Sequence, residues 1–135
     1  MKSIYTILFI GILHLSTSAQ EFKFEKETIN YGKILKNSNG ERIFIFTNIG
    51  NKPLIIKNIK SSCGCTIPKK PKGPILQGEK GEIKVSYDTK RIGGFSKSIT
   101  IFSNAKNPRK TIRIKGLVNN GISLEREKSI LSNFK

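Results

Sequence analysis

Residues 82–87 read Glu82-Ile-Lys-Val-Ser-Tyr87, placing Ile83, Val85 and Tyr87 on one face and Glu82, Lys84 and Ser86 on the other. A period of two is what a half-buried antiparallel strand requires, because successive side chains point to opposite faces of a sheet. Ile112, Ile114 and Val118 repeat the pattern against Arg113 and Lys115. Working outward, the same reading predicts strands at Phe22–Glu25, Thr28–Ile34, Arg42–Thr47, Leu54–Ser61, Glu82–Tyr87, Ser96–Ser103 and Thr111–Val118. No helical period runs longer than about two turns. Within the third segment Ile43-Phe-Ile-Phe46 is apolar on both faces, which fits a central strand or one whose outer face is covered by a loop. Seven short strands predict an all-β, antiparallel sandwich.

The connections agree. Asn37-Ser-Asn-Gly40, Asn48-Ile-Gly-Asn51, Gly93-Gly94 and Asn104-Ala-Lys-Asn-Pro108 are turn-forming clusters between apolar runs, and suit a Greek-key-like meander. The longest irregular stretch, Cys63 to Lys80, carries Pro68, Pro71, Pro74, Gly73 and Gly78, so it is no central strand and is expected to cross between the sheets. Gly121 to Lys135 has mixed charge and a weak apolar pattern, as a frayed end or short helix would.

The first residues stand apart. Met1 and Lys2 precede a nearly unbroken apolar run from Ile4 to Leu15, followed by Thr17, Ser18 and Ala19. This predicts a secretory signal peptide over residues 1–19, cut before Gln20. The run is shorter than the roughly 20 residues that span a bilayer, and no cysteine stands near the junction for a lipid anchor. The expected division is therefore a signal peptide (1–19), one domain (20–119) and a C-terminal tail (120–135). A chain of 135 residues with 36% hydrophobic content suits a single core. The expected location is exported: periplasm, cell envelope or outside the cell.

Removing the signal removes Met1 and His14, the only methionine and histidine, and the chain has no tryptophan. Histidine-based nucleophilic triads, histidine general acid–base chemistry and His-ligated zinc, iron or blue-copper centres are thereby excluded from the processed chain. Of the nine acids, Glu21, Glu25, Glu27, Glu125 and Glu127 cluster near the processed termini; the remaining Glu41, Glu79, Glu82 and Asp88 stand at no spacing that suggests a paired-carboxylate site, and Asp88 before Thr89 reads as a turn residue. No catalytic residues and no cofactor are predicted.

Three strings occur in order: Asn30-Tyr-Gly-Lys-Ile34, then Phe46-Thr-Asn-Ile-Gly-Asn-Lys-Pro-Leu54, then Ser62-Cys-Gly-Cys-Thr66. With Pro74-Ile-Leu-Gln-Gly78, Tyr87-Asp-Thr89, Gly94-Phe-Ser-Lys97 and Ser103-Asn-Ala105, the chain resembles the bacterial Domain of Unknown Function 1573 family over roughly residues 22 to 118. The resemblance implies an immunoglobulin-like β-sandwich, similar to domains of some cilium and centrosome proteins and to major sperm protein. It supplies no catalytic residue. Tyr31 stands where an aromatic is common, and Ile49 where a small residue is expected.

Two features carry chemistry. Cys63-Gly64-Cys65 holds the only two cysteines, and three readings compete. A local disulfide suits an exported chain, but an extended Cys-x-Cys separates its Cα atoms by about 6.6 Å, so Gly64 is expected to bend the chain. So small a loop gains little entropically and would be readily reduced, which leaves room for a thiol-redox role. The thiolates could instead hold Cu(I), with a second chain or solvent completing the site. The third reading is a pair of packed thiols that fix a turn.

The second feature is charge. Lys and Arg total 25, and without Lys2 residues 20–135 carry 24 basic against 9 acidic side chains, a net +15. Lys57, Lys60, Lys69, Lys70 and Lys72 are the candidate anion-binding patch, for acidic polysaccharide, lipid headgroups or a protein. A solvated lysine-rich surface is the plainer reading. No nucleic-acid motif is present. The sequence thus points to an exported, non-enzymatic interaction or scaffolding module of the bacterial envelope, binding a protein through a sandwich edge or its basic surface. The rival is a small thiol-redox or copper-handling protein centred on Cys63 and Cys65.

Overall fold

The computed structural model describes residues 20–133; the predicted signal peptide, residues 1–19, and residues 134–135 lie outside the described residues. The alternating runs fold as eight strands: β1 (Phe22–Phe24), β2 (Thr28–Leu35), β3 (Glu41–Asn48), β4 (Ile56–Ser61), β5 (Thr66–Lys69), β6 (Lys80–Tyr87), β7 (Gly93–Ser103) and β8 (Arg109–Asn119). They form two four-stranded sheets, ordered β1-β3-β6-β5 and β2-β8-β7-β4. Helix α1 (Ile122–Ser132) occupies the predicted tail, after Gly121 in a left-handed conformation.

The alternation read from 82–87 is the alternation seen: Ile83, Val85 and Tyr87 are buried, and Glu82 and Lys84 are exposed. Across the sandwich Ile99 and Ile101 of β7 and Ile112, Ile114 and Val118 of β8 meet Phe44 and Phe46 of β3, all nearly or wholly inaccessible. Phe22, Phe24 and Phe46 pack edge-on or tilted, with ring centroids 5.3 to 5.7 Å apart. Such pairings add a few tenths to about 1.5 kcal/mol each beyond their buried area.

Three features depart from the sequence reading. There are eight strands, because the stretch from Cys63 to Lys80 contains β5, which pairs antiparallel with β6. Pro68 does not forbid it, since β5 lies at a sheet edge where one side of the backbone needs no partner. Second, β2 runs parallel to β8, so the sandwich is not wholly antiparallel. The chain leaves β1 in one sheet and crosses to the other at Glu25–Glu27, reaching the edge beside β8. Third, Gly93 and Gly94 open strand β7 and pair with Val118 and Leu117 instead of forming a turn.

The motif residues behind the family resemblance satisfy backbone groups that the crossings would otherwise strand. Asn48 is fully buried; its Nδ2 donates to the carbonyls of Lys52 and Ile75, each at 2.8 Å, and its Oδ1 accepts from the Gly50 N–H. Asn104 does the same between Pro53 and Ile55. The Thr89 hydroxyl donates to the Ser38 carbonyl at 2.7 Å. Ile49 is about half exposed, so the larger side chain at a small-residue position extends into solvent.

Candidate functional site

The Cys-Gly-Cys segment is the corner where the chain passes from β4, an edge strand of one sheet, to β5, an edge strand of the other. Cys63 and Cys65 are joined as a disulfide with Cα atoms 5.3 Å apart, so the chain is bent from the extended span. Gly64 achieves this without a left-handed backbone, and a side chain there would meet open space. Cys65 is buried and Cys63 is partly exposed. The corner is fixed by hydrogen bonds: the Ser61 hydroxyl lies 2.5 Å from the Cys63 carbonyl and 2.8 Å from that of Thr66, and Asp88 N–H donates to the Cys65 carbonyl at 2.9 Å. The Thr66 hydroxyl sits 3.7 and 3.9 Å from the two sulfurs. Among the described residues no group of three His, Cys, Asp or Glu converges on a metal position.

The five lysines singled out in the sequence do not form one patch. Lys69, Lys70 and Lys72 line an open depression of about 520 Å³ with Lys80 and Lys84, and Glu41 and Glu82 share it. Lys57 is tied to this group only through its main chain, whose carbonyl accepts from Lys70 Nζ at 3.1 Å. Lys60 belongs elsewhere: it projects over the Phe102 ring, 5.8 Å from the centroid, on the outer face of the other sheet.

The sandwich edge expected from the sequence as a binding surface has its open stretch on β3, a position the sequence does not specify. Strand β1 pairs only with Phe46–Asn48 of the eight-residue β3, after which Glu25 N–H donates to the Ile45 carbonyl and the chain departs. Backbone groups alternate sides along a strand, and the Ile45 carbonyl faces β1, so the N–H and C=O of Ile43 face the same way. Among the described residues no strand lies beyond them. At Glu41 the corresponding groups are already taken, its N–H by Asn39 Oδ1 and its carbonyl by the Arg42 guanidinium. Beside this gap runs a groove of about 480 Å³ lined by Lys26, Thr28, Ile29, Asn30, Ile43 and Ile45, with Phe44 beneath. Ile43 is 42% exposed. The double-sided apolar run at 43–46 was the available signal; what could not be read was that β1 stops short of covering it.

Where β2 and β3 continue past the groove, Arg42 lies over the Tyr31 ring, 4.2 Å from its centroid, and the Tyr31 hydroxyl donates to the Gly40 carbonyl at 2.8 Å. Burial pushes the Tyr31 hydroxyl up to about 12, partly opposed by the Arg42 charge. Burial also raises Tyr87, whose ring stacks on Phe95 at 3.8 Å. Both tyrosines are neutral at physiological pH and serve packing.

Two sheets packed face to face with the strand order seen here define an immunoglobulin-like sandwich, similar in fold to PapD-like and ASH domains. The chain belongs to the family described as protein of unknown function (DUF1573), whose model matches residues 22–118. Its fold is similar to that of a protein of unknown function from Porphyromonas gingivalis, with TM-score 0.67 and 13% identity over 79% of this chain; the match spans about half (51%) of that protein's length. It is similar to the ASH/PapD-like domain 7 of human CEP192, with TM-score 0.60 and 8% identity over 76% of this chain and 87% of that one. It is also similar to a chain of the CsuC–CsuE chaperone-tip adhesion subunit complex of Acinetobacter baumannii, with TM-score 0.52 and 15% identity over 73% of this chain and 57% of that one. No curated protein matches the sequence. At these identities the likeness is one of fold.

Proposed function

We propose that this chain is an exported, non-enzymatic interaction and scaffolding module of the bacterial cell envelope, which takes up an extended segment of a protein partner along the open edge of β3. The observation that carries the reading is the gap beyond β1: the free Ile43 N–H and C=O beside an apolar-floored groove. An added strand gains affinity from main-chain hydrogen bonds and specificity from pockets for alternate side chains, and the gap offers both. The signal-like residues 1–19 support export, and one solved relative by fold is a chain of a chaperone–tip adhesion subunit complex.

The test places a photo-crosslinking residue at Ile43 in the native envelope and repeats it at Thr111 on the opposite sheet. The reading expects a discrete adduct from position 43 alone, abolished by Asn30→Lys or Ile45→Glu in the groove. Ile43→Pro, which removes the outward N–H and no bond to β6, should weaken capture in the untagged chain by about tenfold or more. Equal adducts from both positions, or capture unchanged by Ile43→Pro, would overturn it.

A second reading, thiol redox, is favoured by the unequal exposure of the disulfide: an incoming thiolate reaches Cys63 while Cys65 is the buried leaving sulfur. Copper handling would follow only after reduction, when both thiolates become available. An unchanged phenotype and unchanged partner capture in Cys63→Ser with Cys65→Ser would eliminate both.

A further inference from the structure

The outer face of the sheet β2-β8-β7-β4 has a different character from the groove. Its cross-strand register aligns Asn58–Phe102–Arg109, Lys60–Thr100–Thr111, Ser98–Arg113–Thr28 and Ser96–Lys115–Asn30 in successive rows. Every one of these is basic, hydroxyl-bearing, an amide or the single aromatic Phe102; no carboxylate occurs among them. Arg109, Thr111, Arg113 and Lys115 are exposed along β8 and span about 20 Å at about 3.3 Å per residue. Among the described residues the ion pairs are Lys80–Glu25, Arg91–Asp88 and Lys110–Glu27, so none of Lys60, Arg109, Arg113 or Lys115 has an acidic partner. The Phe102 ring is held between Lys60 and Arg109, with Nζ at 5.8 Å and the guanidinium carbon at 5.5 Å from its centroid.

At the other end of the face lies an open depression of about 490 Å³, rimmed by Asn30, Lys33, Ser96 and Lys115, with Phe95 and the exposed Leu117 in its wall. Gly32 and Gly94 leave it open, since a Cβ at either would meet nothing within 4 Å.

The geometry points to this face as a binding surface for a linear, carboxylated polysaccharide. The charge complementarity is one-sided and unpaired, which suits a polyanion. Two arginines on the line of β8 present planar donor forks matched to carboxylates, and the hydroxyls and amides between them supply both donors and acceptors for sugar hydroxyls. Its outward apolar side chains Leu117 and Phe102 stand at opposite ends of the β7–β8 register, so the face has no contiguous apolar strip of the kind a lipid-seated surface needs, and its depression is open and rimmed by charged and polar groups rather than closed around an apolar anchor. The depression between Lys33 and Lys115 would seat one sugar ring, with the polymer continuing over β8 toward Phe102.

The decisive experiment titrates the full processed chain with polygalacturonate, and separately with neutral dextran, phosphatidylglycerol vesicles and a single-stranded oligonucleotide. Binding of polygalacturonate and not dextran is expected. Substituting Arg109→Gln, Arg113→Gln and Lys115→Gln together should weaken it by about tenfold or more, because the arginine forks and the line of charge are both lost. Lys69→Gln, Lys70→Gln and Lys72→Gln together remove equal charge from the other sheet's side and should change it less than about twofold if position matters more than net charge. Gly94→Glu should also weaken binding while leaving the denaturation midpoint within error. Equal losses from the two triple variants would show a diffuse charge effect and overturn the proposal, as would preferential binding of vesicles or oligonucleotide, or no binding of polygalacturonate.

Discussion

Asn48 shows how a single polar side chain can serve the fold. Buried among apolar strands, it answers two carbonyls and one N–H from the turn that follows and from the Ile75 segment. Asn48→Ala would leave those groups unanswered, and a loss of about 3 kcal/mol is expected in urea denaturation, because each stranded buried group costs about 1 kcal/mol or more. Tyr31 gives a second measurement at this scale. Its folded pKa is raised from 10.0 to about 12 chiefly by burial, so the folded state holds a proton that the unfolded state releases between those values. The stabilisation is complete below pH 10 and is lost as pH rises toward 12. Urea midpoints measured across that window should fall for the native chain and fall less for Tyr31→Phe. The asparagine and tyrosine motifs were legible as family signatures, yet they are structural fittings, which is why recognising them reveals the fold and leaves activity open.

Among the elements, those with a clean period of two were readable: β6 and β8 alternate because each has one wet face, and their predicted cores are the observed ones. β5 escaped notice because four residues containing Pro68 carry no periodic signal, and its place is set by pairing with β6 rather than by its own composition. The open edge of β3 escaped for a similar reason, since it depends on where β1 stops. The disulfide at the β4–β5 corner closes a very short loop, and loop-closure reasoning assigns it only about 1.5 kcal/mol. Denaturation with and without a strong reductant should therefore differ by no more than about 2 kcal/mol, with the sandwich still folded when reduced. A collapse of cooperative unfolding on reduction would show that the corner stabilises far more than loop closure allows.

For the molecule as a whole, charge is the quantity most visible in the sequence and least resolved by it. Composition showed the excess of lysine and arginine but not that the acid-free share gathers on the outer face of one sheet, because that grouping is made by cross-strand register between residues as distant as Lys60 and Thr111. A surface with 24 basic and 9 acidic side chains over residues 20–135, and three exposed ion pairs among the described residues, repels itself. Raising sodium chloride from about 10 mM to about 200 mM should screen that repulsion and raise the thermal midpoint by a few degrees. A midpoint that falls with salt would mean that attractive pairs dominate instead.

The pairing of β2 with β8 governs how the molecule is made. Thr28 aligns with Arg113, so the earliest long strand waits for the last, across about 85 intervening positions. Closing so large a loop is entropically slow, and a parallel pairing has no hairpin to nucleate it. While β8 is still being synthesised, β2 has no partner, so the sandwich cannot close and the nascent chain stays pliable. Commitment to the native state comes in one late step, when the final strand arrives.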